Sequence, residues 1–411
     1  MRIAIIGGGA AGMMSAVAAN ENNPQAEVFL IERNDSLGKK VIISGGGRCN
    51  VTTGIEEIKL VLEKYPRGAK FLNSAIHNFP PRAVQDWFEE HGVPLKCEED
   101  LRVFPASNKG TDVVRAFETF FAKHQTKVLF KHIVKSIEKE NNSFIINFKD
   151  QKSLSFDKVI LALGGQAYRQ TGSAGDGYSL AEILGHQITE LAPSLSSLTT
   201  KETWPHKLSG LSFLETNFKA FGQKKYQFSG PFVFTHWGIS GPAIFALSSL
   251  LAFENFDQKR PLKIQLDLLP EKTFEQILAE LKNFMDQNLK KSFKYALSKL
   301  VPLSLATIAL EQNKIALEKN NGELSKQELR KVATWLKSLS LTIIDRRPGH
   351  EFVTAGGVEL KEVNSSTMES KICPGLYFAG EILNIDGYTG GFNLQASWAT
   401  GYLAGVSASK T

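Results

Sequence analysis

A strand that runs straight into a glycine turn and a helix constrains this chain more than any other feature. In residues 2–6, RIAII, the four that follow Arg2 are apolar on both faces of an extended segment, as a buried parallel strand requires. They lead into GGGAAG, which sets Gly7, Gly9 and Gly12 in GxGxxG spacing ahead of the alanine-rich stretch 13–20. The first glycine permits the tight turn, the second lets a pyrophosphate approach the backbone, and the third allows close helix packing. Ala10 and Ala11 open the helix, whose N-terminus favours negative charge. Residues 27–32, EVFLIE, form the next strand and complete a βαβ unit. Glu32 ends that strand, where a carboxylate accepts hydrogen bonds from adenosine ribose hydroxyls and disfavours a 2′-phosphate. A glycine-rich turn without ligand is the plain alternative, and the strand–turn–helix context disfavours it. The fingerprint alone leaves FAD and NAD open.

Two further segments choose FAD. SGGGRCN, residues 44–50, offers Ser44, Gly45, Gly46, Gly47, Arg48, Cys49 and Asn50, so several backbone N–H groups and one guanidinium can converge on phosphate or flavin oxygens. A purely structural turn would hardly need Arg, Cys and Asn as well. Toward the C-terminus, GLYFAGE reads as a strand ending in Gly380 and Glu381, followed by Asp386 and GGFNLQASWATG. A helix beginning at Gly391, Phe392, Asn393 and Leu394 can stabilise negative charge on the N1–C2=O edge of a flavin. The expected cofactor is noncovalent FAD.

The remaining pattern implies a discontinuous α/β domain. Strands are expected at 127–138, 143–148, 156–163, 352–354 and 375–380. Between them the texture changes to short strand-like runs punctuated by Gly and Pro. From Phe274 it becomes helical, with Phe274, Ile277, Leu278, Leu281, Phe284 and Met285 at i, i+3, i+4 spacing to about Leu341. The expected organisation is an FAD-binding domain of residues 1–190 and 346–411, a β-rich insert 191–270 and a helical insert 271–345.

GGGAAG, SGGGRCN, TGSAGDGY, FTHWGISGP and GLYFAGEILNIDGYTGGFNLQASWATG, in this order, resemble the bacterial BaiN/YhiN-type NAD(P)/FAD-dependent oxidoreductases over nearly the whole chain. The resemblance implies a Rossmann-like FAD domain interrupted by β-barrel-like and helical parts. It implies flavin contacts at the positions already named, and Arg33, Lys40, Val134, Ala162 and Gly164 complete the expected set. Gly380-Glu381 stands where Gly-Asp is commoner, and the longer side chain should still reach the ribityl or pyrophosphate region. NAD(P)H is expected as a transient electron donor, since no second GxGxxG is present. Members of this family are associated with reduction of carbon–carbon double bonds in steroid-like compounds and in a uracil of large-subunit ribosomal RNA. For the latter, hydride would reach uracil C6 and a proton C5, giving dihydrouridine.

Candidate catalytic residues are Cys49, whose pKa Arg48 could lower, and His236 in FTHWGISGP; small buried thiol and turn histidine are the alternatives. Arg169, or His350 beside Arg346 and Arg347, offers an anion site. No metal-ligand spacing or nucleophile elbow is present. Three scattered cysteines and no run of ~18 apolar residues point to a cytoplasmic protein without a membrane span. Of the formal charge of +6, residues 191–345 carry +6, against +1 before and −1 after. Lys282, Lys290, Lys291, Lys294 and Lys299, with Phe293 and Tyr295 between them, read either as a solvated amphipathic face or as a ribosomal RNA surface. A small-molecule substrate, or an FAD-containing RNA-binding factor without catalysis, are the competing readings.

Overall fold

The computed structural model describes residues 1–347, 349 and 351–410. The chain divides into two compact units, Met1–Ser194 with Glu351–Thr411, and Leu195–His350.

In the first unit five parallel strands form one sheet, in the order Lys127–Leu129, Glu27–Ile31, Arg2–Ile6, Lys158–Leu161 and Leu376–Phe378. Ile3 to Ile6 pair with Lys158 to Leu161 on one side and with Val28 to Ile31 on the other. Both faces of these strands are covered, which is why their residues are apolar without alternation. Past their carboxyl ends lie Gly7, Glu32, Ala162 and Ala379, with Gly7 N–H donating to the Ile31 carbonyl (2.8 Å) and Ala162 N–H to that of Ile6 (2.9 Å). In an open α/β sheet that edge is where ligands bind.

The fingerprint helix, Ala10–Asn22, packs against the closing helix, Phe392–Ala408. The approach is backbone to backbone. A Cβ on Gly401 would stand 2.4 Å from the Ala11 carbonyl oxygen, and one on Gly405 2.3 Å from that of Ser15. Alanines and glycines on this seam are therefore a packing requirement, and they account for the near-uniform burial of the fingerprint helix.

The expected strand 127–138 is two strands. Residues 127–129 join the parallel sheet, and Val134–Glu140 belongs to a three-stranded antiparallel sheet with Ser143–Phe148 and Leu154–Phe156. Between them Lys131 takes a left-handed φ of 58°, and its N–H donates to the Asn34 carbonyl (2.9 Å), turning the chain. Ala192–Ser194 pairs antiparallel with Val353–Ala355, so the chain leaves and re-enters the first unit through adjacent strands.

The second unit is an eight-stranded antiparallel sheet ordered Ser212–Phe213, Phe232–Thr235, Gly238–Ser240, Leu198–Thr200, Leu339–Arg346, Leu262–Asp267, Asn217–Phe221 and Lys225–Ser229. Its helices share one core with that sheet: Ile277, Leu281, Leu305, Val332 and Leu336 bury with Phe218, Phe232, Ile264 and Leu341. The helix Phe274–Asp286 starts at a Thr273/Gln276 capping box and buries Ile277, Leu281 and Met285, three of the periodic residues. The helical pattern stops at Lys337, because 339–346 is a central strand of the sheet.

Gly401→Leu should destabilise the FAD-free protein by roughly 1–3 kcal/mol in urea unfolding. Overpacking against a carbonyl outweighs the ~1 kcal/mol of helix propensity gained, and a more stable variant would contradict the seam.

Candidate functional site

The SGGGRCN segment and the closing helix are tied together by specific hydrogen bonds. Gly45, Gly46 and Gly47 take φ values of 57°, 71° and 87°, and Cys49 follows at 60°, so the loop winds back on itself and Cys49 N–H reaches the Ser44 carbonyl (2.9 Å). With its amide oriented to satisfy its neighbours, Asn50 accepts from Gly391 N–H (2.9 Å) and donates to the carbonyls of Thr52 (3.0 Å) and Val103 (3.2 Å). Trp398 Nε1 donates to the Val51 carbonyl (2.9 Å), and Thr52 Oγ1 donates to Gln395 Oε1 (2.6 Å). Gly391 caps the closing helix at φ 90°, where a Cβ would stand 2.3 Å from the Thr52 carbonyl oxygen. No side chain caps the first turn of either the fingerprint helix or the closing helix.

The glycines fall into two kinds. Gly7 and Gly12 are packing glycines: a Cβ would stand 2.5 Å from the Ala162 carbonyl oxygen and 1.9 Å from that of Gly7, respectively. Around Gly9, Gly46 and Gly47 a Cβ would meet nothing within 4 Å. Gly9 also has an extended backbone, φ −84° and ψ −169°, that any residue adopts. Its small size answers to no protein atom, and open space beside an uncapped helix N-terminus fits a pyrophosphate. The residues present fit FAD.

Glu32 is buried, its Oε2 accepting from Gly8 N–H and its Oε1 from Asn34 N–H, both 2.7 Å. Each oxygen keeps a lone pair for a ribose hydroxyl. Ala162 is buried at the end of its strand, Gly164 turns at φ 74°, and Val134 is half-buried at the start of its strand. Phe392 is buried, its carbonyl accepting from Tyr65 Oη–H (2.7 Å), and Asn393 bonds through its amide to both N–H and C=O of Gly387 (2.8 and 2.7 Å). Leu394 is half-buried in the first turn.

Several side chains expected at the cofactor have protein partners instead. Lys40 is paired with Glu381 (2.7 Å), whose other oxygen accepts from Thr354 N–H (2.8 Å). Arg33 pairs with Asp176 of the TGSAGDG loop. Asp386 is corrected outright: it is fully buried, accepting from Arg67 and from Ser194 Oγ–H (2.8 Å), so it locks the closing loop rather than a ligand. The Arg48–Cys49 expectation is corrected too. The Arg48 guanidinium turns to Glu98 (2.6 Å) and lies 3.8 Å over the Phe104 ring, while burial pushes the Cys49 thiol up to about 12. Cys49 is a neutral thiol, held beside Ser44. Glu98, Phe104 and Thr354 were not singled out from sequence, because partners 27 residues away for Thr354 and 50 for Glu98 leave no local pattern.

His236 lies exposed in the turn between Phe232–Thr235 and Gly238–Ser240. Arg169 is exposed and bonded to Gln166 Oε1 (3.0 Å). Arg346 is no anion site, since its guanidinium donates to the carbonyls of Ala252 (3.1 Å) and Glu254 (2.9 Å). His350 lies outside the described residues.

Gly9→Val should abolish FAD retention, read as lost flavin absorbance, with the thermal unfolding of the FAD-free protein unchanged, whereas Gly12→Val should lower that unfolding temperature as well. A yellow, loaded Gly9→Val protein would sink the assignment. For Cys49, the folded pKa lies above that of an unfolded thiol, about 8.5. The unfolded chain then loses its proton first, so stability falls as pH rises from about 8.5 toward 12. Exposed Cys97 should be alkylated first and Cys49 last, as peptide mass spectrometry would report.

The model of the HI0933-like protein Rossmann domain matches residues 1–407. The 3-dehydro-bile acid delta(4,6)-reductase of Clostridium scindens is 30% identical, covering 100% of this chain and 99% of that protein. The ribosomal RNA dihydrouridine synthase of Haemophilus influenzae is 28% identical, covering 99% and 98%. Among solved structures, the 3-ketosteroid-delta4-(5alpha)-dehydrogenase of Rhodococcus jostii has the same fold, with a TM-score of 0.53 at 13% identity over 100% of this chain and 96% of that one. With its fingerprint, glycine loop and closing helix assembled on one parallel sheet, this chain belongs to the HI0933-like family of FAD-dependent oxidoreductases.

Proposed function

We propose that this chain reduces a carbon–carbon double bond with electrons from NAD(P)H, in the cytoplasm, and that its substrate is a uracil of large-subunit ribosomal RNA. The observation that carries the RNA reading is a basic, partly aromatic face on the second unit. Tyr295 is exposed, with the ammonium groups of Lys291 and Lys299 each 4.7 Å from its ring centroid. A hydrogen bond from Lys299 and the charge of both lysines lower the Tyr295 pKa, so the face is electropositive. Lys282 and Lys290 are also exposed, and Lys294 is half-buried. Phe293 belongs to the core and cannot stack on a base, which removes one of the two aromatics expected there. Lysines around an exposed ring are what a single-stranded nucleic acid needs from a protein surface.

The full-length likeness to a ribosomal RNA dihydrouridine synthase supports the same substrate. The similar likeness to a bile acid reductase favours a second reading, a small unsaturated metabolite. Reduction of a double bond is the chemistry common to both. Bound FAD supplies the hydride for either. The chain's own part is to hold that cofactor through the backbone of Gly9, of Gly45 to Gly47 and of the closing helix's first turn, and to provide a proton. Cys49, as a neutral buried thiol, and His236, in its exposed turn, are the proposed donors.

Mass spectrometry of ribosomal RNA nucleosides from a deletion strain should show one dihydrouridine lost. The wild-type gene should restore it and Gly9→Val should not; restoration by Gly9→Val would defeat the RNA-reductase reading. Replacing Lys290, Lys291 and Lys294 with Glu should lower the salt slope of RNA binding by about 2, at ~0.7 per phosphate contact, without releasing flavin. An unchanged slope would return the three lysines to a solvated face.

A further inference from the structure

Two consecutive arginines follow one another out of the strand Leu339–Arg346, and they meet different surroundings. Arg346 Nη2 is spent on backbone carbonyls at the end of the helix Pro242–Leu250, and its guanidinium carbon lies 4.3 Å from the Phe256 ring centroid. Arg347 is anchored through its backbone N–H to the Ser197 carbonyl (3.0 Å), and its guanidinium carbon lies 3.9 Å over the Trp237 ring. Among the described residues no acidic side chain pairs with Arg347 and no acceptor takes a guanidinium N–H; its Nε is buried without a hydrogen-bond partner. A half-buried cation that has lost part of its water and gained no acceptor is costly unless something else completes it.

The support beneath it is rigid. Trp237 sits in the hairpin turn between Phe232–Thr235 and Gly238–Ser240, where its carbonyl accepts from Thr200 N–H (3.1 Å). Ser197 and Ser240 hydroxyls bond to each other (2.7 Å) across the neighbouring strands. An indole face fixes the plane of the guanidinium, and a fixed plane presents its in-plane N–H edge as a fork for two oxygens.

We propose that Arg347, stacked on Trp237, binds an oxyanion group of the substrate, either a carboxylate or a phosphodiester. The inference rests on the reductase reading, in which this unit engages the molecule to be reduced. Lysine cannot replace the arginine, because a point charge has neither the fork nor the plane that stacks.

The test titrates FAD-loaded full-length wild type, Arg347→Gln and Arg347→Lys with four probes. These are a short uridine-rich RNA, the same RNA with uncharged methylphosphonate linkages, cholate, and cholate methyl ester. Arg347→Gln should weaken binding of one anionic probe by about tenfold or more, with Arg347→Lys recovering little of it. The neutral counterpart should bind all three proteins alike, and flavin content should not change. The anion that loses affinity identifies the source, RNA phosphate or small-molecule carboxylate. Equal affinities of wild type and Arg347→Gln for both anions, absence of binding by either anion, or full recovery in Arg347→Lys would each overturn the proposal. Dihydrouridine loss in the deletion strain is read independently, so a failure here is distinguishable from a failure of the reductase reading.

Discussion

Everything around the cofactor depends on how closely two helices approach. The fingerprint helix and the closing helix meet backbone against backbone, with Gly401 and Gly405 set over the carbonyls of Ala11 and Ser15. That approach fixes where two uncapped helix N-termini lie relative to each other. Both carry the partial positive charge of unbonded N–H groups. A flavin dinucleotide has negative charge to offer at its pyrophosphate and, when reduced, at its ring. One seam of small residues thus sets the spacing of two electropositive helix ends.

How much of this was legible beforehand follows from the range of each interaction. The parallel sheet, the fingerprint and the closing helix were read correctly because each is written in consecutive residues: RIAII then GGGAAG, EVFLIE, GLYFAG then GGFNLQ. The helix at Phe274 was legible from its 3.6-residue period. The chain turn at Lys131 was not, because a left-handed lysine has no compositional mark. Nor was the strand Leu339–Arg346 within the helical texture, since its pairing partners at Leu198–Thr200 and Leu262–Asp267 lie far off in sequence.

Side-chain roles were harder still. Arg48 beside Cys49 invited a lowered thiol pKa, but adjacency in sequence does not make proximity in space. The loop's left-handed turns bury the thiol while the guanidinium is drawn to Glu98 and Phe104. Lys40, Glu381 and Asp386 repeat the lesson: each has a charge suited to a cofactor, and each is already engaged by a protein group of opposite sign. The first turns of the fingerprint and closing helices, by contrast, have no side-chain cap within the protein.

The clasp between Asn50 and Gly391 has a consequence for the order of assembly. Synthesis delivers the first half of the cradle in the opening fifty residues and withholds the second until after the whole inserted unit has been made. The edge strand Leu376–Phe378 and the closing helix are among the last segments to leave the ribosome. The nascent chain therefore carries an unfinished Rossmann sheet, with an exposed edge at Lys158–Leu161, through the folding of its insert. The Asn50–Gly391 bond can form only once both chain segments, separated by more than three hundred residues, have been made.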